Sequence, residues 1–232
     1  MPRTFVIGDI HGAHKALVQC LERSSFDYEA DLLICLGDVC DGWPETSQCF
    51  DELLKIKHLI YVLGNHDYWA LYWAEQGIKS DQWLLQGGQA TVDSYPGNMF
   101  TSHVELLKSA HHYYLLEDKL FVHAGILPDQ PISDQDDDIF LWDRTLVKLA
   151  IDNKISGVNH SLTQYKEVYV GHTPIHRFGF LEPTESSGVW MMDTGAGWEG
   201  ALSIMDIETK VFYQSDAVIN MYPKGTGRPG QA

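Results

Sequence analysis

A carboxylate and an imidazole separated by one residue close the first apolar run of the chain, "VIGDIHG" (Val6 to Gly12). The same grammar returns in "CLGDVCD" (35–41), "YVLGNHD" (61–67), "LFVHAG" (120–125) and "VYVGHT" (168–173). Each run is short, apolar and ends at or near glycine, as a buried strand does. In open α/β sheets, ligand sites form where the carboxyl ends of strands meet loops. If these strands are neighbours, their ends gather Asp9, His11, Asp38, Asn65, His123 and His172 around one point. That set offers only oxygen and nitrogen donors, which suits two divalent cations of the manganese, iron or zinc kind with one carboxylate bridging them. Asp38 falls in the middle of the set and is the natural bridge. Two such cations about 3.5–4 Å apart generate hydroxide at neutral pH and clamp the attacking and leaving oxygens of an in-line displacement.

Each residue alone has a plainer reading. An aspartate at a strand end is commonly a turn former, and a lone histidine there is commonly a hydrogen-bonded structural group. Turn chemistry does not account for the recurrence of one pattern in every run. By the same standard His103, His111, His112, His160 and His176 lack the strand-end setting and read as surface or packing residues. Asp134 and Asp136 to Asp138 read as a solvated loop, and "DYWALYWAEQ" (67–76) as a helix packing on the core. Asp193, in "MMDTGAG", stays open between a turn former and a support for the site.

The elements that must carry these residues are legible from periodicity. Residues 13–23 place Ala13, Ala16, Leu17, Cys20 and Leu21 on one helical face. "WPETSQCFDELLKIK" (43–57) predicts a helix with Pro44 in its first turn and Cys49, Phe50, Leu53 and Leu54 on one side. Residues 138–151, around Leu141, Leu146 and Leu149, predict one more. Strand–helix–strand alternation gives an α/β fold with a partly parallel sheet. Near the end, "GVWMMDTG", "GALSIMDI" and "KVFYQS" predict short antiparallel strands. The tail, about 221–232, is Gly/Pro-rich and expected to fray.

The length of 232 residues fits one domain, 1–232, and a 44% hydrophobic fraction suits a globular core. No apolar run is long enough to cross a bilayer, and the first strand-like run leads directly into Asp9. The expectation is a soluble cytoplasmic protein with no membrane partner. A net charge of −16 argues against duplex nucleic acid as a partner. It would also repel a phosphorylated substrate unless bound cations reverse the sign locally. Cys20, Cys35, Cys40 and Cys49 form no Cys-x-x-Cys pair and suggest neither a zinc knuckle nor a disulfide framework.

With these residues in hand, the chain resembles the phosphoprotein phosphatases of the calcineurin-like metallophosphoesterase superfamily, most of all their bacterial and phage branch. The family pattern Gly-Asp-x-His-Gly, Gly-Asp-x-x-Asp-Arg-Gly, Gly-Asn-His-Glu/Asp, His-Ala-Gly and Gly-His-Thr is matched at 8–12, 37–41, 64–67, 123–125 and 171–173. "WLLQGGQATVDSY" (83–95) and "LWDR" (141–144) also look like bacterial members. The resemblance implies a four-layer α/β sandwich, two mixed β-sheets flanked by helices. It implies two divalent metal ions, manganese foremost, with iron, zinc or nickel as alternatives. Asp9, His11 and Asp38 would hold one ion; Asp38, Asn65, His123 and His172 would hold the other. His66 would protonate the leaving oxygen, and Asp41 would orient His66 and support its protonated form. Arg144 would bind phosphate oxygens bidentately, with Asn65 also at the phosphate.

The chain departs from the pattern at one position: "DVCDGWPE" puts Gly42 where the family has an arginine. Loss of one preorganised donor typically costs about 2.7–4 kcal/mol, or roughly 10²- to 10³-fold in rate. That fits a changed substrate preference better than a lost activity. Arg177, just after "GHTPIH", is a candidate substitute. The resemblance therefore implies a metal-dependent phosphomonoesterase, a serine/threonine protein phosphatase of broad tolerance acting on phosphorylated proteins or small phosphoesters. Two alternatives stand beside it. One is a hydrolase of dinucleoside polyphosphates such as diadenosine tetraphosphate, with aromatic stacking supplied by 68–95. The other is a binding protein that keeps metals but has lost turnover through Gly42.

Overall fold

The computed structural model describes residues 2–228. The apolar runs do form strands, and they divide between two sheets, as the family resemblance implies. Each of the two sheets has five strands. In the first, β1 (Thr4–Ile7), β2 (Leu32–Cys35) and β3 (His58–Tyr61) are parallel, and β9 (Ser203–Asp206) and β10 (Phe212–Gln214) add antiparallel. In the second, β5 (Lys119–Val122), β6 (Glu167–Val170) and β8 (Val189–Met191) are parallel, with β4 (Tyr113–Leu116) and β7 (Thr184–Ser186) antiparallel at the edges. The expected antiparallel ending is thus half right: β8 joins β7 in that sense but lies parallel to β6.

Side chains alternate across each strand, and the alternation builds the layers. Val6, Ile34, Phe121, Tyr169 and Met205 meet between the sheets in one apolar layer. Their neighbours point outward: Phe5, Ile7, Leu33 and Cys35 on one side, Leu120, Val122, Val168 and Val170 on the other. Across the inner face of the second sheet Phe121 and Tyr169 stack with ring centroids 4.7 Å apart, and Trp190 continues the row.

Helices cover both outer faces. α1 (His14–Arg23) buries Ala16, Leu17, Cys20 and Leu21 on the first sheet, as the spacing predicts. α2 (Thr46–Leu53) starts two residues after Pro44 and buries Cys49, Phe50 and Leu53, whereas Leu54 lies past its end and is exposed. α3 (Asn65–Gln76) packs through Ala70 and Trp73. The short α4 (Asp81–Trp83) runs through a kink over Leu84–Gly88, where Gly87 has φ 105°, into α5 (Gln89–Asp93), and α6 (Thr101–Lys108) returns the chain to β4. The single helix expected over 138–151 is two, α7 (Asp137–Trp142) and α8 (Thr145–Ser156), which covers the second sheet. Extended backbone at Asp143 makes the break, and its carboxylate accepts the N–H groups of Thr145 and Leu146. Arg144 stands at that corner. The four cysteines are free and buried. No helix among the described residues is long and apolar enough to cross a membrane.

Residues 221–228, expected to fray, fold back on the domain instead. Tyr222 stacks on Trp43 at 5.1 Å, and Arg228 is buried. Residues 229–232 of that stretch lie outside the described residues.

Phe121→Ala should destabilise the fold by about 3–5 kcal/mol in urea melts, because it opens a cavity between the sheets rather than at a surface.

Candidate active site

The site lies on the seam between the two sheets. Asp9 and His11 follow β1, Asp38 follows β2, and Asn65 and His66 open α3 after β3. His123 follows β5 and His172 follows β6, so these come from the second sheet. The six residues gathered by the sequence are all buried at this one place. Hydrogen bonds cross the seam from the second sheet to the first. The His172 N–H donates to both oxygens of Asp9, at 3.1 and 3.0 Å, and His123 Nδ1 lies 2.8 Å from the carbonyl of Leu36.

Tight backbone is the cost of this convergence. His11, Asp38, Asp41 and His172 all have positive φ, between 50° and 72°, a region that side-chain-bearing residues seldom enter. Such outliers cluster at functional sites, where the surroundings hold them in place. Two glycines admit the carboxylates. A β-carbon on Gly64 would collide with Asp38, and one on Gly171 would collide with Asp9. Asp67 supports the same loops from beneath. It accepts the N–H groups of Val39, Cys40 and Gly64 and the hydroxyl of Tyr61.

The donor atoms form two triads that share Asp38. Ligand atoms of Asp9, His11 and Asp38 lie within 4.8 Å of one another, and so do those of Asp38, His123 and His172. The imidazoles are oriented for coordination. His11 Nδ1 is 3.0 Å from the carbonyl of Cys40 and His123 Nδ1 faces that of Leu36. Donation to those carbonyls leaves each Nε2 lone pair turned toward the carboxylates, the usual arrangement behind a metal ligand. His123 Nε2 then meets Asn65 Oδ1 at 3.0 Å and Asp38 Oδ2 at 3.4 Å. Three acceptors facing one another call for a cation. His172 Nε2 is buried with no hydrogen-bond partner among the described residues, and a group of that kind needs an explanation. The residues present fit a pair of divalent ions.

Charge balance says the same. Burial pushes the Asp9 carboxyl well above its usual range, and repulsion from Asp193 and Asp38 adds to it. Burial also pushes Asp38 up, but the facing imidazoles, His123 foremost, outweigh it and hold Asp38 well below that range. His123 moves oppositely: burial lowers it, but Asp38 and Asp9 carry it up to about 9. The carboxylates that raise His123 favour positive charge at this place.

Beside the triads stands a hydrogen-bonded histidine–aspartate pair. His66 Nδ1 is 2.6 Å from Asp41 Oδ2. Asp41 is fully buried, and it also accepts the Trp83 indole N–H at 2.8 Å and the Thr91 hydroxyl at 2.7 Å. Trp83 and Thr91, read from the sequence only as part of a familiar stretch, thereby fix the carboxylate behind His66. All this opens on a cavity of about 530 Å³. His66, Arg144, Lys148 and Arg177 line it together with the aromatic walls Trp142, Phe178 and Trp198. Asp193 also lines it and accepts the Gly195 N–H at 2.9 Å, so it forms the turn and borders the site at once. His103, His111, His112, His160 and His176 do not line it.

Arg228 is the residue that sequence reasoning missed. One of its guanidinium nitrogens lies 2.9 Å from His11 Nε2 and 3.2 Å from His66 Nε2. Nothing in the spacing of a Gly/Pro-rich tail marks it. Asp67, by contrast, had a local signal: an acidic side chain three residues after the glycine that precedes a helix reaches back to that glycine's N–H.

Comparison with known proteins agrees with this geometry. Residues 2–196 match the family described as calcineurin-like phosphoesterase. The chain is 28% identical over 215 residues to serine/threonine-protein phosphatase 1 of Salmonella typhimurium, covering 88% of this chain and 91% of that protein. It is 28% identical over 141 residues to the symmetrical bis(5'-nucleosyl)-tetraphosphatase of Coxiella burnetii, an overlap of 56% of this chain and 44% of that one. Among solved structures, one provisionally assigned as a diadenosine tetraphosphatase superposes with a TM-score of 0.69 at 18% identity, over 94% of this chain and 96% of that one. A protein serine/threonine phosphatase from Saccharomyces cerevisiae gives 0.60 at 13% identity, over 98% and 83%. These structural likenesses establish the fold: a sandwich of two mixed sheets flanked by helices.

Manganese at 100 times its dissociation constant should stabilise the chain by about 2.7 kcal/mol per site, raising Tm by roughly 5–10 °C. Asp38→Asn should abolish most of that shift in a thermal melt, because both triads lose their common member.

Proposed function

The chain belongs to the calcineurin-like phosphoesterases, and on that premise we propose that it is a dinuclear metal-dependent phosphomonoesterase acting on phosphoserine and phosphothreonine in proteins, with tolerance for small phosphate esters. The observation that carries this reading is the sharing of Asp38 by two ligand triads next to the His66–Asp41 pair. Asp9, His11 and Asp38 would hold one ion, and Asp38, Asn65, His123 and His172 the other. When bound, two divalent ions, manganese by preference, supply a strong nucleophile from water and neutralise phosphate charge.

The chain's own groups do the rest. Arg144, presented by the break between α7 and α8, offers a fork of donors to phosphate oxygens, and Asn65 faces the same space. The start of α3 adds its N-terminal dipole, which favours an anion there. His66 Nε2 opens on the cavity while Nδ1 is held by Asp41, so His66 can hand a proton to the departing alcohol oxygen. Asp41 keeps the ring turned for that transfer, and Trp83 and Thr91 keep Asp41 from rotating. The near full-length likeness to the Salmonella phosphatase supports a phosphoprotein substrate.

A second reading is favoured by the cavity beyond the triads. Lys148 and Arg177 stand there with Trp142, Phe178 and Trp198, a lining that could take the phosphate chain and bases of a dinucleoside polyphosphate. The overlap with the tetraphosphatase relative reaches less than half of that protein, so the phosphatase reading leads. Assays of the manganese-loaded protein on phosphoserine peptides, p-nitrophenyl phosphate and diadenosine tetraphosphate decide between them. Phosphate release from the first two, well above nucleotide release from the third, is expected; the reverse ranking selects the second reading, and no turnover of any defeats both.

His66→Asn should lower kcat by about 10²- to 10⁴-fold, the range for loss of a positioned general acid, while the metal content measured by elemental analysis stays that of the native protein. A parallel loss of metal would move His66 from proton transfer to metal binding.

A further inference from the structure

The space that Gly42 leaves is filled from the far end of the chain. A β-carbon at Gly42 would stand 3.7 Å from Cγ of Arg228, and one at Gly87 would stand 3.2 Å from the same atom. The two glycines form a slot through which the Arg228 side chain passes. Its guanidinium arrives beside His11 and His66 and lines the cavity with Arg144. The Trp198 ring carries it at 4.9 Å and carries Arg177 at 4.1 Å. Arg177, the substitute considered from the sequence, shares that platform, but Arg228 is the one beside His66.

The segment that brings Arg228 in is anchored six positions earlier. Tyr222 stacks on Trp43, accepts the Lys15 N–H at 3.2 Å and donates its hydroxyl to Glu45 at 2.5 Å. Lys15 Nζ also reaches the carbonyl of Met221 at 2.9 Å and lies over the Tyr222 ring. Those contacts tie the tail to α1 and to the loop before α2, so the guanidinium is held by built structure. Burial lowers the pKa of Arg228, while Asp38, Asp41, Asp193 and Asp9 oppose that change and attract its charge. Position 228 lies beyond the family match at 2–196, so this arrangement belongs to the part of the chain that the family pattern does not describe.

We propose that Arg228 is a second phosphate-binding guanidinium of this site, carried by the C-terminal segment through the slot at Gly42 and Gly87. The inference rests on the phosphoesterase reading above. A phosphate monoester dianion presents three terminal oxygens, more than Arg144 alone can serve, and a planar guanidinium beside His66 adds donors where the leaving group is protonated. A rival role is open to the same group. Its nitrogen lies 2.9 Å from both ring nitrogens of His11, including the Nε2 that a metal ion would use, so the rival role of Arg228 is a plug that competes with the ion.

The two roles predict opposite results. With manganese-loaded native protein, Arg228→Ala, Arg228→Lys and Tyr222→Ala, one would measure KM and kcat on p-nitrophenyl phosphate, the inhibition constant of inorganic phosphate, and manganese affinity by calorimetry. The proposal expects Arg228→Ala to weaken inorganic phosphate at least about 10-fold and to lower kcat/KM by about 10²- to 10³-fold. Arg228→Lys should fall between, Tyr222→Ala should shift in the same direction by less, and manganese affinity should hold. Unchanged phosphate inhibition and KM in folded Arg228→Ala, or tighter manganese binding with faster turnover, would overturn the proposal and leave the phosphoesterase reading standing. Absence of turnover in the native protein would remove that reading and the proposal with it.

Discussion

The structure depends on a buried cluster of acceptors that only a cation can satisfy. Asp38 is the centre of it: its carboxylate is reached by His11 and His123 and anchored by the N–H of His66. Burying a carboxylate without compensation is expensive, and here three carboxylates, Asp9, Asp38 and Asp193, lie within reach of each other's charge. The His123 imidazole and the Arg228 guanidinium oppose that charge. Divalent ions fit the donor set better, since they satisfy several lone pairs at once.

That requirement explains the shape of the fold around it. Neither sheet alone brings enough donors together. β1, β2 and β3 supply the acidic half of the site, and β5 and β6 supply His123 and His172. The apolar layer in which Phe121 and Tyr169 meet Val6, Ile34 and Met205 keeps the sheets in contact, and hydrogen bonds across the seam lock the loops to one another. Left-handed backbone at four of the site residues is tolerated because both sheets hold it. Stability and function are thus in tension at the seam, where the apolar layer supports a strained polar rim.

Much of this was readable from residues. The strand-end aspartates and histidines announce themselves because each sits in a local pattern of apolar run, glycine and donor, and the structure brings all six together. The helix faces of α1 and α2 follow from spacing, apart from Leu54, where the helix ends one residue early. What failed to show depended on contacts between distant parts of the chain. The assignment of strands to two sheets is a tertiary choice, which the family resemblance implies but no local pattern of apolar runs carries. The break at Asp143, which presents Arg144, follows from a local side-chain cap that competes with helix propensity. Arg228 lies 217 positions from His11, and a Gly/Pro-rich stretch carries no periodicity from which burial could be inferred. The vacancy at Gly42 was visible in the sequence, but what fills it was visible only in space.

If two ions share Asp38, anomalous diffraction from crystals soaked in manganese will reveal them. Two peaks should flank the Asp38 carboxylate, about 3.5–4 Å apart, one beside Asp9 and His11 and the other beside Asn65, His123 and His172. A single peak, or peaks that do not touch Asp38, would contradict that sharing.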